Sequence, residues 1–303
     1  MTILDGKKVA LETEKQVSEE IAALKEKTGK VPGLAMVMVG DNPVFQIYIR
    51  ARDRVAADVG LNSNVVRLDK AVSTRKLIKE IDKLNHDDEV DAVQIQLPLP
   101  KELNTWEILD RLSPEKDVDR FHPVNMGMVL LNRTTIYPCT PFGILKILSH
   151  YKINIAGLHV GVVGRSFLVG KPLASLLANK DATVTVCHAE TKDLKKALKD
   201  ADLVVCAMGK PGFITADVVK KGVILIDVGL NYISNKKDVL EYCDEDQVKK
   251  FKTKGYAIAG DIHRDAYKKA SFYTPVPGGV GPMTITMLMY NSLQLFKRRR
   301  NIE

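Results

Sequence analysis

The sequence predicts an α/β protein with parallel sheets, arranged as two units. Three observations carry this. Short apolar runs with the length of strands, such as 33–39 and 203–207, alternate with amphipathic helical stretches. Strands separated by helical crossovers pair in parallel. A second strand, glycine turn and helix begin at Val160, after a stretch rich in Pro, Gly and Asn. At 303 residues the chain is long enough for two domains of ordinary size.

The elements follow in order. Residues 5–29 read as an amphipathic helix with Val9, Val17, Ile21 and Leu24 on one side. The buried strand 33–39 runs into a turn signal, Gly40-Asp41-Asn42-Pro43, and then a helix to about Gly60. On that helix Tyr48 and Arg52 are four apart, so they share one face. Alone, the pair fits a solvated surface as well as a site. Val65-Val66-Arg67-Leu68 is a short strand, and 74–84 is a helix with Ser73 or Thr74 as its N-cap. Asp91–Leu97 is a strand ending in Pro98-Leu99-Pro100, and a helix over about 103–112 follows. The stretch 119–141 reads as a loop holding the domain boundary, and a helix at about 142–151 leads into the second unit.

That unit opens with Val160-Gly161-Val162-Val163-Gly164-Arg165-Ser166 and a helix over 171–179. Backbone N–H groups at such a turn can hold a phosphate. The spacing is not G-x-G-x-x-G, so the turn alone is a weak fingerprint. Strand 183–187, helix 191–199, strand 203–207, helix 215–220 and strand 223–228 complete a Rossmann-like succession. An apolar helix over 283–296 closes the chain, expected to pack back on the first domain.

Composition narrows the class. The chain is 45% hydrophobic and 27% charged, which is globular rather than disordered. It lacks a run of eighteen apolar residues, so no membrane span is expected. Its first residues, Met1–Gly6, lack the apolar core of a secretory signal, and a cytoplasmic location is expected. Cys139, Cys187, Cys206 and Cys243 are widely spaced, which suits reduced thiols and neither a disulfide frame nor a metal site. The net charge of +8 suits a polyanionic small molecule as well as nucleic acid. The one dense basic run, Lys297-Arg298-Arg299-Arg300, ends a helix and complements its dipole, so no nucleic-acid partner is expected.

Several separate motifs together resemble one family. They are Val39-Gly40-Asp41-Asn42-Pro43 with Tyr48, Gln96-Leu97-Pro98-Leu99-Pro100, Pro114-Glu115-Lys116-Asp117-Val118-Asp119 and Pro138-Cys139-Thr140-Pro141. Val163-Gly164-Arg165-Ser166 with Val169-Gly170-Lys171-Pro172, Gly209-Lys210-Pro211-Gly212 and Asp227-Val228-Gly229 add to them. The most specific is Thr274-Pro275-Val276-Pro277-Gly278-Gly279-Val280-Gly281-Pro282-Met283-Thr284. Over essentially its whole length the chain resembles the bifunctional methylenetetrahydrofolate dehydrogenase/methenyltetrahydrofolate cyclohydrolases.

The resemblance implies a homodimer whose subunits hold a folate-binding catalytic domain, 1–140 with 280–303, and an NAD(P)-binding Rossmann domain, 141–279. It implies hydride transfer from methylenetetrahydrofolate to NADP, then hydrolysis of the methenyl product. Tyr48, Arg52, Gln96 and Asp119 take the catalytic positions. Tyr48, Leu97, Pro98, Asp119, Pro277, Gly278, Gly279 and Val280 take those that bind folate. Thr140, Gly164, Arg165, Ser166, Val169, His188, Gly209 and Leu230 take those that bind the cofactor. Tyr48 suits the pterin side, and the Asp119 carboxylate can accept two hydrogen bonds from an aminopyrimidine edge.

Departures from the family cluster near the first helix face. Arg52 stands where the family keeps a general-base lysine. Arginine keeps its proton and carries no acceptor, so it is a poor base for hydrolysis. Hydride transfer needs alignment more than a base. Phe45 replaces a small residue and is expected to narrow the cleft, Arg120 replaces a glycine, and His263 replaces an acid. A lone His of this kind reads as structural. The cofactor evidence is divided. Arg165 beside Ser166 suits the 2′-phosphate of NADP, whereas Ala189 and Glu190 leave NAD as the alternative. The leading expectation is an NADP-dependent dehydrogenase with weakened cyclohydrolase activity. The alternatives are a non-catalytic folate- or nucleotide-binding paralogue and a Rossmann oxidoreductase for another substrate.

Overall fold

The structure is a computed structural model; it describes residues 1–41 and 43–302, with only the backbone of Pro43 and Val44. Asn42, in the expected turn, lies outside the described residues. In chain order the elements are β1 (Thr2–Ile3), α1 (Gly6–Thr28), β2 (Gly33–Val39), α2 (Pro43–Asp58), β3 (Asn62–Leu68), α3 (Thr74–His86), β4 (Ala92–Ile95) and α4 (Thr105–Arg111). Then come α5 (Pro123–Leu130), α6 (Cys139–His150), β5 (His159–Val163), α7 (Gly170–Ala178), β6 (Thr183–Cys187), α8 (Leu194–Leu198), β7 (Leu203–Cys206) and β8 (Ile224–Asp227). The rest are β9 (Asn231–Ile233), α9 (Lys236–Tyr242), α10 (Glu245–Lys254), β10 (Ala257–Ala259), α11 (Arg264–Tyr267), β11 (Phe272–Tyr273) and α12 (Val280–Arg299). No helix among the described residues is long and apolar enough to cross a membrane.

Two readings of the sequence need correction. The stretch 119–141 is not loop throughout, because α5 forms within it. Pro123 occupies its first turn, where a missing N–H costs nothing, and the His122 side chain caps Val124 N. The expected helix over 215–220 is only a 3₁₀ turn, Ala216–Val218, and no side chain caps it.

The chain divides into two compact units, residues 1–9 with 140–284 and residues 10–139 with 285–303. Residues 1–9, 140 and 280–284 thus fall outside the unit the sequence reading gave them. The reason is β1, which pairs in parallel with β11 and is only two residues long, too short to show a period.

In the unit 10–139 with 285–303, three parallel strands lie in the order β3-β2-β4. The central β2 is buried at every residue, which is why its sequence is unbroken Leu, Ala, Met and Val. The segment 116–118 continues the sheet beyond β4, with Val93 N donating to Lys116 O (2.7 Å) and Val118 N to Val93 O (3.3 Å). On α12, Met287, Leu288, Leu295 and Phe296 are buried, and residues from Ile285 onward pack in this unit as expected. The basic run at its end does more than complement a dipole. Lys297 pairs with Glu20 (2.6 Å), and both Arg299 and Arg300 bind the fully buried Asp91 carboxylate. Asp91 also accepts from Gly33 N (2.9 Å), so it joins α12 to the start of β2.

In the other unit six parallel strands run in the order β1-β11-β8-β7-β5-β6. An antiparallel ribbon, β9-β10, lies beside α9 and α10. The carboxyl end of β8 is tied down by Asp227. Its Oδ1 accepts from Gly229 N and Asp261 N, and its Oδ2 accepts from Ile262 N and the Tyr267 hydroxyl. Asp261 in turn accepts from Met208 N, Gly209 N and the Asn231 amide. A Cβ at Gly260 would lie 2.0 Å from Asp227 Oδ2, so only glycine lets the chain pass there.

Two stability outcomes follow. Asp91→Ala strands the arginines and the Gly33 amide, and is expected to cost about 2–4 kcal/mol, read as a lower urea midpoint at unchanged m. Asp227→Asn sets an amide donor against existing donors and is expected to cost about 2–3 kcal/mol by the same measurement.

Candidate active site and cofactor site

The side chains at the carboxyl ends of β2 and β4 make one polar cluster within an apolar setting. α2 leaves β2 and carries Phe45, Tyr48 and Ile49 onto Met36 and Met38. Phe45 therefore packs on this core. One turn on, Arg52 is completely buried. Its Nε and Nη2 donate to Asp53 Oδ1 (3.1 and 2.5 Å), and Nη2 also reaches Ser63 Oγ (3.0 Å) on β3. Its Nη1 has no partner. The guanidinium is thus anchored on one side and leaves one donor unspent.

From β4, Gln94 donates through Nε2 to the Tyr48 hydroxyl (3.3 Å). Gln96, two residues on, continues the ladder with its N–H on Val37 O (2.9 Å), and its own Nε2 donates to Leu97 O (2.9 Å). The Leu97–Pro98 bond is cis. Residues two apart on a strand share a face, so both amides belong to the same face. Both carry a buried Oε1 without a partner. Each such orphan costs about 1–3 kcal/mol, and a polar ligand supplies what is missing.

Asp119 completes the cluster. Burial, first, and the neighbouring Asp117, second, push its carboxyl up to about 7. The neighbouring Cys139 and Gln94 side chains and the charge of Arg52 pull the other way. Burial raises the Tyr48 phenol above its usual range, and Asp119 adds to this, so Tyr48 keeps its proton. Burial likewise raises the Cys139 thiol well above the ordinary range. A protonated phenol, a carboxyl that titrates near neutrality and two unsatisfied amide oxygens together suit a ligand with both donors and acceptors.

The loop around Asp119 is built by motif residues and by His122, Asn125 and Asn291, which the sequence reading did not single out. Asp117 accepts from His122 N and the Asn125 amide (2.8 Å each). Lys116 is buried with its ammonium on Leu84 O (2.8 Å) and Asp87 O (2.6 Å). Asn291 of α12 donates to Val118 O (3.0 Å) and Tyr137 O (2.9 Å). Arg120 sits at φ 64°, the left-handed region, which explains the family's glycine there. This chain offsets the strain with guanidinium bonds to Pro114 O, Asp117 O and Asn125. Sequence could have flagged Gln94 as the one polar residue of Ala92-Val93-Gln94-Ile95, but not Asn291, which is distant in the chain.

The positions that the sequence reading gives the cofactor lie in the other unit, along one edge of its sheet. Leu230 follows β8, Gly209 follows β7, Gly164, Arg165 and Ser166 follow β5, and His188 follows β6. Those strands are neighbours in that order, and the chain turns back across the sheet after β6, so the switch lies between β5 and β7. Ligands bind such sheets at the carboxyl ends beside the reversal. Gly164 has φ +126°, and a Cβ there would meet Ala207 O at 2.3 Å. Ser166 Oγ accepts from Val169 N (3.2 Å), shaping the turn into α7. Arg165 is exposed, so its charge is available to a phosphate. His188 Nδ1 accepts from Glu190 N (3.3 Å). Thr140 Oγ1 lies 2.9 Å from Thr284 Oγ1. These groups fit a dinucleotide carrying an extra phosphate. Pro277, Gly278, Gly279 and Val280 stand in this unit before and at the start of α12, with Gly279 N on Pro275 O (2.8 Å). His263 caps α11 through Asp265 N (3.2 Å), a structural part. All four cysteines are free and buried.

Comparison with known proteins agrees across the chain. Residues 4–119 match the catalytic domain of tetrahydrofolate dehydrogenase/cyclohydrolase, and residues 138–300 match its NAD(P)-binding domain. The bifunctional protein FolD of Francisella philomiragia is 44% identical over 97% of this chain and 98% of its own. The bifunctional FolD methylenetetrahydrofolate dehydrogenase/cyclohydrolase of Campylobacter jejuni superposes with a TM-score of 0.89 at 38% identity, covering 99% of both chains. The Trypanosoma brucei enzyme, solved with NADP and an inhibitor, gives 0.90 at 35% identity over 99% of this chain and 98% of that one. On sequence and fold together, the chain belongs to the tetrahydrofolate dehydrogenase/cyclohydrolase family.

Proposed function

We propose that this protein oxidises 5,10-methylenetetrahydrofolate to the methenyl form with NADP, and that Arg52 makes its cyclohydrolase step the weaker one. Family membership over both units carries the first part. The anchored guanidinium in the cluster carries the second.

NADP supplies the hydride-accepting ring. The chain has to hold the folate so that its methylene carbon, flanked by two nitrogens that stabilise the developing cation, faces that ring. Tyr48 orients the pterin by contact and through its hydroxyl. Asp119, once ionised, accepts from the aminopyrimidine edge. Gln96 offers its unpartnered oxygen beside them. Arg165 and Ser166 hold the 2′-phosphate, which favours NADP over NAD. Hydrolysis of the methenyl carbon needs a group to take a proton from water. Arg52 has no lone pair to do so and is held by Asp53 and Ser63.

The reading includes a homodimer, as the family resemblance implies, and a cytoplasmic location, which the free thiols support. Its partner molecules are folate and the dinucleotide, with neither nucleic acid nor membrane. A non-catalytic paralogue is the competing reading. Cofactor reduction that depends on methylenetetrahydrofolate removes it.

Two outcomes are expected. Followed separately, NADP reduction is faster than methenyl decay, and Arg52→Lys raises hydrolysis by roughly 10²-fold while changing hydride transfer less. Rapid hydrolysis in the unaltered protein, with no gain in Arg52→Lys, refutes the part given to Arg52. For Asp119, the pKa of about 7 in the folded chain lies above the ordinary unfolded value of about 3.9. The folded chain therefore holds a proton that the unfolded chain has released. Stability falls between those values as pH rises, by about 1.4 kcal/mol per unit at most, and the loss is complete above them. Asp119→Asn should gain in urea midpoint relative to the unaltered chain on going from pH 5 to pH 8, while losing folate affinity.

A further inference from the structure

Gln94 is a buried amide in an otherwise apolar strand, only 6% exposed, and the family resemblance assigns it nothing. Its Nε2 donates to the Tyr48 hydroxyl at 3.3 Å and its side chain lies close enough to Asp119 to favour the ionised carboxylate, while its Oε1 is buried and unpartnered. An amide nitrogen has two hydrogens, so one group can serve both neighbours.

We infer that Gln94 is a positioning residue of the folate site, holding the Tyr48 hydroxyl beside the Asp119 carboxyl and presenting Oε1 to a donor on the bound folate. This rests on the reading of the cluster as the folate site.

The arrangement has three consequences. Tyr48 receives a hydrogen bond from Gln94, so its own hydrogen is directed elsewhere, toward ligand. Asp119 is faced by Tyr48 and Arg52 from α2, Gln94 from β4, Cys139 at the start of α6 and Asp117 from its own segment. Of these five, Gln94 alone neither carries charge nor titrates. Its donor favours the ionised carboxylate, which is the form that accepts from folate. Finally, the unpaired Oε1 lies on the same face as that of Gln96, so two acceptors are presented side by side.

The test compares Gln94→Met, which keeps the volume and removes the amide, with the unaltered protein, following NADP reduction across pH 5.5–9. The unaltered protein should show an acidic limb near 7, set by Asp119. In Gln94→Met the limb should move up by about half a unit or more, and KM for methylenetetrahydrofolate should rise about tenfold with a smaller change in kcat at high pH. Gln94→Glu, which replaces the donor with a second carboxyl, should move the limb further the same way. An unmoved limb with unchanged KM overturns the inference, as does a loss of activity with the limb unmoved, which marks a merely structural role. A second measurement needs no variant. In a crystal of the unaltered protein with NADP and a folate analogue, Oε1 should lie within about 3.2 Å of a ligand nitrogen; an Oε1 without a ligand partner overturns the inference. Unaltered protein that reduces no NADP with methylenetetrahydrofolate refutes the underlying reading instead.

Discussion

Buried carboxylates at the ends of parallel strands set the geometry of both units. A carboxylate removed from water has to collect donors, and the donors at hand are backbone N–H groups of neighbouring loops. Asp227 gathers four and so fixes the loops after β8 and β10. Asp261 passes the same order to the loop after β7. Asp117 does it for the segment that delivers Asp119. Asp91 does it for α12 and the start of β2. The loops that bear the site are placed by these few groups.

Asp119 is the exception that makes the site. Unlike the others it is only partly buried, it has Gln94 and Cys139 beside it rather than a set of backbone N–H groups, and its carboxyl, like that of Asp227, is pushed up to about 7. A group left short of partners in the free protein is the one with most to gain from a ligand. The unpartnered oxygens of Gln94 and Gln96 and the spare Nη1 of Arg52 share that property. The cluster is polar enough to recognise a pterin and incomplete enough to need one.

Much of this was legible in the sequence. Strand 33–39 shows an apolar run because both faces of its parallel sheet are covered, whereas the edge strand 183–187 alternates Thr and Val, and the structure returns both with the same bounds. The motif residues at the ends of β5, β7 and β8 stand together because parallel strands bring their carboxyl ends to one edge. Less was legible where the signal is short or distant. β1 and β11 have two residues each, so no period can reveal them. α5 was hidden by the Pro, Gly and Asn that usually mark loops, although Pro at a helix start is favourable. The segment 231–259, with β9, α9, α10 and β10, carries little of the apolar alternation that marks a strand, and the sequence reading assigned it no strand or helix.

The sequence by itself determined the fold class, the family and the substitution at position 52, because these rest on residue type and local spacing. Only the tertiary structure decided what Arg52 touches, that Gln94 reaches Tyr48, and that Arg120 sits in a left-handed turn. It also moved residues 1–9 to the dinucleotide unit. The physical reason is common to all four. Each depends on contacts between segments far apart in the chain, or on a backbone angle those contacts enforce, and neither is written in the order of the residues.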